Sequence, residues 1–179
     1  MNTETKYLDK LKSSKELIDV YTDRHDESSY GFIIDFNENY LVLESINDNR
    51  PDGLTIFNRE NITRIRWGGN EIESTQKLID QSMRLKNVVK IDLTSIQTIL
   101  KCVQNTFGYV NVFIEDIDSS VCFIGELEDM DDENLVIHEY GTKISLDRKR
   151  ILLNINDITK VEGGGAYEEG IKKLIKTKY

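Results

Sequence analysis

Short apolar runs separated by polar turns make up most of the first half of the chain, and this pattern predicts β-strands. The runs "YGFIID" and "YLVLESI" flank "FNEN", which predicts a β-hairpin over residues 30–46. Gly31 lies inside the first run, where a glycine is typical of a bend or a bulge. Further strands are predicted for residues 17–21, for "LTIFN" and for "RENITRIRW", with "NDNRPDG" as a turn.

Helical spacing of apolar residues occurs in four segments. Residues 4–14 and 71–86 each show one apolar face. Asp92 is the expected N-cap of the most regular helix, which should end at Gly108. Another amphipathic helix follows the glycines at 163–165. The apolar positions of these last two helices are Leu93, Ile96, Ile99, Leu100 and Val103, and Tyr167, Ile171, Leu174 and Ile175.

The second half of the chain repeats the strand pattern of the first. Strands are predicted for "YVNVFIED", "SSVCFIGELED", "LVIHEY", "KISL", "RILLNI" and "DITKVE", with a bend at Gly125. The order of elements is therefore helix, strand, bent hairpin, strand and strand in both halves.

Two pairs of segments indicate that the chain is an internal duplication. Residues 62–78, "ITRIRWGGNEIESTQKL", match residues 158–174, "ITKVEGGGAYEEGIKKL", at an offset of 96. The hairpins match at an offset of 94, as from Gly31 to Gly125, so two extra residues fall in the second copy's loop. We therefore predict two domains, residues 1–86 and 87–179.

Composition and charge limit the classes of partner that the protein is expected to bind. The chain has 179 residues, 31% of them charged, and a net charge of −9. Such a field disfavours RNA and anionic membranes as partners unless basic residues cluster. No apolar run could span a membrane, and the N-terminus does not resemble a signal peptide. With two cysteines, Cys102 and Cys122, in apolar surroundings and no CxxC motif, we expect a cytoplasmic protein with free thiols.

The residues that most often carry catalysis or bind metals form no motif here. The acid-rich turn at 128–133 lacks the alternating ligands and the glycine of a calcium loop. The glycines at 68–69 and 163–165 match neither a P-loop nor a dinucleotide pattern. His25 and His138 have no neighbouring cysteine or histidine and no nucleophile motif. We therefore expect no enzyme activity, no metal and no cofactor.

Two short motifs in each half resemble the Sm-like (LSm) family of small β-barrels. The first family motif places a glycine in a strand, then an acidic residue, an asparagine and an acid that ends the next strand. The residues that resemble it are Gly125, Asp131, Asn134 and Glu139 in the second half, and Gly31, Asn37 and Glu44 in the first. The second motif is similar to Asn61-Ile62 and Asp157-Ile158. This resemblance implies a mainly β protein of two tandem Sm-like (SH3-type) five-stranded barrels with flanking helices, although other SH3-like barrels fit the same order.

One departure from the family concerns its nucleotide pocket. The family uses an arginine-glycine pair there, and the matching positions are Asn58-Arg59 and Asn154-Ile155. The resemblance therefore supports the fold more than the RNA pocket.

Two functions follow as hypotheses. The first is a non-catalytic interaction or scaffold protein that binds a protein partner or itself through barrel edge strands, as a pseudo-dimer or a ring. The alternative is an RNA-binding Sm-like protein. Its candidate RNA-binding residues are Arg59, Arg64, Arg66, Arg148, Lys149 and Arg150.

Overall fold

The structure is a computed structural model that describes residues 2–84 and 89–178, apart from the side chains of residues 83 and 178. The chain divides into two compact units, Met1–Val89 and Lys90–Tyr179. The predicted boundary between residues 86 and 87 lies outside the described residues.

The first unit begins and ends with a helix and contains five strands between them. Its helices and strands are α1 (Thr3–Ser14), β1 (Ile18–Thr22), β2 (Glu27–Phe36), β3 (Tyr40–Asn47), β4 (Arg50–Asn58), β5 (Arg64–Trp67) and α2 (Gly69–Leu78). Short 3-10 helices span Asp23–His25, Arg59–Asn61 and Gln81–Met83. The strands are antiparallel, in the order β5-β1-β2-β3-β4.

The second unit has the same succession of α-helices and strands, with a single 3-10 helix in its described residues. They are α3 (Ile96–Phe107), β6 (Val110–Phe113), β7 (Cys122–Met130), β8 (Asn134–Glu139), β9 (Arg150–Asn154), a 3-10 helix (Ile155–Asp157), β10 (Lys160–Gly163) and α4 (Ala166–Lys178). Its strands are antiparallel, in the order β10-β6-β7-β8-β9.

The prediction of two closed five-stranded barrels is wrong. In each unit the five strands form an open antiparallel sheet instead. In the described residues, β5 pairs only with β1, and β9 pairs only with β8. The sequence predicts a bend or bulge at Gly31 and a bend at Gly125. The register shifts fall later, between Ile33 and Asp35 and between Leu127 and Asp129.

The strand glycines allow the two strands of each hairpin to lie close together. A Cβ built on Gly31 would lie 2.8 Å from the carbonyl oxygen of Glu44 on the facing strand. A Cβ on Gly125 would lie 2.8 Å from the Cα of Glu139 and would overlap the carbonyl of His138. A side chain at either position would push the hairpin strands apart.

Each unit packs helices against its strands. In the first unit, Leu8 and Leu11 of α1 join a buried cluster with Ile18, Leu41 and Phe57. Their i and i+3 spacing puts both leucines on the same face of the helix.

In the second unit, Ile171 and Ile175 of α4 pack with Tyr109, Ile124 and Tyr140. The sequence predicted an apolar stripe of four residues on this helix, of which Ile171 and Ile175 are buried, whereas Tyr167 and Leu174 are 46% and 41% exposed. Both units therefore bury an amphipathic helix face, as the spacing of apolar residues indicates.

Candidate functional site

The six candidate RNA-binding residues all lie in ion pairs with carboxylates. The shortest described distances are 2.8 Å for Arg64–Asp23, 2.7 Å for Arg66–Asp19, 2.7 Å for Arg148–Glu126, 3.5 Å for Lys149–Glu139 and 2.7 Å for Arg150–Glu128, and Arg59 pairs with Glu4. A phosphate would have to displace a carboxylate at each position, so the arrangement gives no ready anion site.

Arg59 has a structural role in the first unit. Its side chain is only 12% exposed and pairs with Glu4 of α1. It also donates a hydrogen bond to the carbonyl oxygen of Asn37, in the turn between β2 and β3. The residue therefore ties the first helix to the hairpin turn.

Arg64 and Arg66 come together on β5. Both guanidinium groups lie over the ring of Tyr21, with the carbon Cζ 3.8 Å and 5.5 Å from its centroid. The hydrogen bonds from Arg64 hold the pKa of the Asp23 carboxyl below its usual value. Arg66 donates to the buried carboxylate of Asp19, which is 1% exposed.

The basic turn before β9 is likewise neutralised. Arg148 donates to Glu126 at 2.7 Å, and Tyr140 donates to the same carboxylate at 2.9 Å. Partial burial acts to raise the pKa of Glu126, but these two hydrogen bonds outweigh it and lower the pKa. Arg150 holds Glu128 through two contacts of its Nε, at 2.7 Å and 3.0 Å.

A groove between α1 and β5 was not predicted from the sequence. It has a volume of about 530 Å³. Its apolar lining includes Leu8, Leu11 and Ile65. At its rim, the rings of Tyr7 and Trp67 lie 5.6 Å apart, and each residue is 41% exposed. The position of Trp67, the only tryptophan in the sequence, does not by itself distinguish a core residue from an interface residue.

The free side of β9 is an open strand edge. Lys149 O accepts from Glu139 N–H, and Ile155 N–H donates to Glu133 O, both at 2.8 Å. Because an antiparallel ladder alternates, the main-chain groups of Arg150, Leu152 and Asn154 point away from β8. Leu152, at the centre of this edge, is 69% exposed.

Two pairs of buried polar side chains lie within the second unit. Lys160 lies 3.0 Å from Glu115, and Asn111 donates to Glu168 at 2.7 Å. Burial raises the pKa of the Cys122 thiol to about 11, so this thiol is a poor nucleophile. Within residues 2–84 and 89–178, no group of three His, Cys, Asp or Glu side chains could hold a metal ion.

None of the helices in the described ranges has both the length and the apolar character needed to cross a membrane. Comparison with known proteins found no matching family model, no matching curated protein and no matching solved structure.

Proposed function

We propose that this chain is a non-catalytic interaction protein that assembles with itself through the open edges of β9 and β5. We also propose that its two units arose by duplication and are related to the Sm-like family. Closed barrels form no part of this proposal. The observation that carries it is the unpaired main chain of β9 around the exposed Leu152.

The hairpins support the duplication because their registers agree. In both units the register shift falls between the second and the fourth residue after the strand glycine. Equivalent strand pairs, each offset by 94 residues, are Gly31–Ser45 with Gly125–Glu139, Asp35–Val42 with Asp129–Val136, and Phe36–Leu41 with Met130–Leu135.

The contacts before the last strand of each unit also agree. Thr63 N–H donates to the Tyr21 carbonyl at 2.9 Å, and its hydroxyl donates to the same oxygen at 3.1 Å. Thr159 contacts the Phe113 carbonyl in the same two ways, at 3.0 Å and 3.3 Å. A duplicated unit accounts for such repetition of detail.

The same positions differ greatly in burial. The basic residue after each threonine, Arg64 or Lys160, pairs with a carboxylate of its own unit, Asp23 or Glu115. The exposed fractions of the side chains are 59% and 46% in the first unit, against 5% and 1% in the second. A surface that is buried in one unit is therefore open in the other, beside the exposed Trp67 and the α1/β5 groove.

This open surface suits a strand from a second copy. Addition of a strand to β5 would satisfy main-chain groups and cover the neighbouring apolar groove. The edge of β9 offers both unpaired main-chain groups and an apolar side chain, Leu152. Because β5 and β9 are different surfaces, their pairing would be head-to-tail, and it would give a ring where the rotation closes.

RNA binding is the weaker hypothesis. All six candidate basic residues pair with carboxylates, and the net charge is −9. A salt titration with oligo-U and oligo-A tests it directly. Binding that persists at physiological salt and falls when Arg64 and Arg66 are replaced would favour RNA binding over self-assembly.

Sedimentation velocity over a wide range of concentration tests self-assembly. The wild-type chain should form species larger than its 20.7 kDa monomer as concentration rises. Leu152→Pro should abolish them, since proline removes an outward N–H while leaving the bonds to β8. Ile117→Pro would remove the hydrogen bond from Ile117 N–H to the Ile114 carbonyl (2.9 Å), so the control is Ile117→Ser, at another exposed apolar residue of the same unit (63% exposed). A wild-type chain that stays monomeric at every concentration would refute the proposal.

A further inference from the structure

The second unit carries a surface that combines exposed apolar side chains with lysines. It is formed by α4 and the loop 142–146, and we call it the α4 surface. Three large apolar side chains are exposed there: Ile144 at 98%, Tyr167 at 46% and Leu174 at 41%. None of its residues belongs to β5 or β9.

The loop is fixed against the helix. Lys143 Nζ lies 4.6 Å from the centroid of the Tyr167 ring. Leu146, two residues after Ile144, packs into the cluster that contains Ile171 of α4. The exposure of Ile144 therefore belongs to a loop that is anchored on both sides of it rather than to a chain end.

The exposed face of α4 has the spacing of a helix-packing surface. Tyr167, Gly170 and Leu174 stand at i, i+3 and i+7, which places them along one stripe. A Cβ on Gly170 would meet no atom closer than 3.8 Å, the Cε of Lys143. The stripe therefore has a shallow depression between two apolar residues, which fits a side chain of a second helix.

The charge of the α4 surface is positive on an acidic protein. Lys143 and Lys173 are exposed, and no carboxylate in the described ranges lies within ion-pair distance of them. The acids of the first turn of α4 are occupied, since Glu168 accepts from Asn111 at 2.7 Å and Glu169 pairs with Lys172 at 3.6 Å. These lysines differ in this respect from the six paired residues discussed above.

We propose that the α4 surface binds an acidic amphipathic helix of a partner protein. The apolar side of such a helix would cover Ile144, Tyr167 and Leu174, and its carboxylates would meet the lysines. An anionic bilayer or a long RNA would also be repelled by the rest of the chain, whose net charge is −9. A short acidic helix is governed by the local charges, because screening limits their reach to about 8 Å at physiological salt. RNA also gives no apolar cover for Ile144 and Leu174.

Fluorescence anisotropy with two synthetic helices tests the proposal. The probe repeats leucine at i, i+3 and i+7 with glutamate elsewhere, and its counterpart replaces every glutamate with lysine. The wild-type protein should bind the glutamate helix at least about tenfold more tightly than the lysine helix. Lys173→Glu should abolish this preference, whereas Lys101→Glu, an equal change of charge at an exposed lysine of α3, should leave it unchanged.

The apolar part of the site needs its own variant. Ile144→Ser should weaken binding of the glutamate helix at least about tenfold, whereas Ile117→Ser should not, although Ile117 is also 63% exposed. Circular dichroism of every variant must match the wild type.

Three results would overturn the proposal. They are equal affinity for both helices, equal effects of Lys173→Glu and Lys101→Glu, and a loss of binding to phosphatidylserine vesicles or oligo-U, rather than to the helix, in the Lys173→Glu variant. None of these results depends on whether the chain self-assembles through β5 and β9.

Discussion

Replacement of Lys160 by methionine should strongly destabilise the second unit. The Lys160 ammonium lies 3.0 Å from Glu115, and the two side chains are 5% and 1% exposed. Methionine retains the apolar stem that packs near Phe113, but it leaves the Glu115 carboxylate buried without this cation. Removal of one partner of a buried ion pair costs about 3–5 kcal/mol. We expect a loss of that size in the free energy of unfolding.

Arg64→Met is the matched control. Arg64 and Asp23 form the equivalent ion pair at the start of β5, but their side chains are 59% and 46% exposed. Water and salt already screen this pair, and the carboxylate that remains is solvated. The effect should therefore be much smaller than that of Lys160→Met.

Urea unfolding followed by far-UV circular dichroism measures both effects. Where the two units unfold in separate transitions, each transition is fitted on its own. The double variant Lys160→Met/Glu115→Gln should recover more than half of the loss, because the fully buried carboxylate is then neutral and the second partner of Lys160, Glu162, is 25% exposed. Equal losses for Lys160→Met and Arg64→Met would refute the reasoning. So would a double variant that is no more stable than Lys160→Met.

Three further predictions concern the second unit. Gly125→Ala should cost about 1–3 kcal/mol in thermal unfolding, because the new methyl group overlaps the main chain of His138; an unchanged melting temperature would contradict this. Cys122, whose pKa is raised by burial from 9.0 to about 11, should react with iodoacetamide about a hundredfold more slowly at pH 8 than an unshifted thiol, as measured by peptide mass spectrometry. The pKa of Glu126 is lower in the folded state than its ordinary value of 4.5, so the ionised carboxylate stabilises the folded state above pH 4.5. This contribution to stability is lost as the pH falls through the folded-state pKa. Arg148→Met should therefore destabilise most near neutral pH, and a difference from wild type that grows on acidification would argue against the pairing.

Most helices and strands could be predicted because the signals that define them are local. The hairpin 30–46 is confirmed as β2 and β3, and the end of α3 at Gly108 follows from a glycine with a φ of 78°. The predicted N-cap was wrong, because Ser95 rather than Asp92 caps α3. Both residue types cap helices well, so backbone geometry rather than composition decides between them.

Other local predictions failed for the same kind of reason. The predicted strand "KISL" is a turn, in which Leu146 N–H donates to the Thr142 carbonyl at 2.8 Å. The predicted turn "NDNRPDG" contains the first residues of β4, because Asp48 and Asn49 alone reverse the chain at positive φ. The predicted helix 71–86 is shorter, since α2 ends at Leu78, and residues 85–86 of that prediction lie outside the described residues.

The features of the candidate sites depend on contacts between distant segments. Arg64 and Asp23 are 41 residues apart in the chain, and Arg66 and Asp19 are 47 apart, so no motif shows that the arginines are paired. The α1/β5 groove likewise needs two segments from opposite ends of the first unit. The exposed leucine of β9 looked like an ordinary strand residue, because an edge strand and a central strand have similar sequences.

The free side of β9 has a consequence for handling the protein. Unpaired strand edges with apolar side chains are templates on which partly unfolded chains stack, and such stacking competes with orderly association during overexpression. Arg150 and Asn154, which flank Leu152 along this edge, are the kind of polar gatekeepers that slow it. Low temperature, slow synthesis and retention of these two side chains should therefore favour recovery of native material over inclusion bodies.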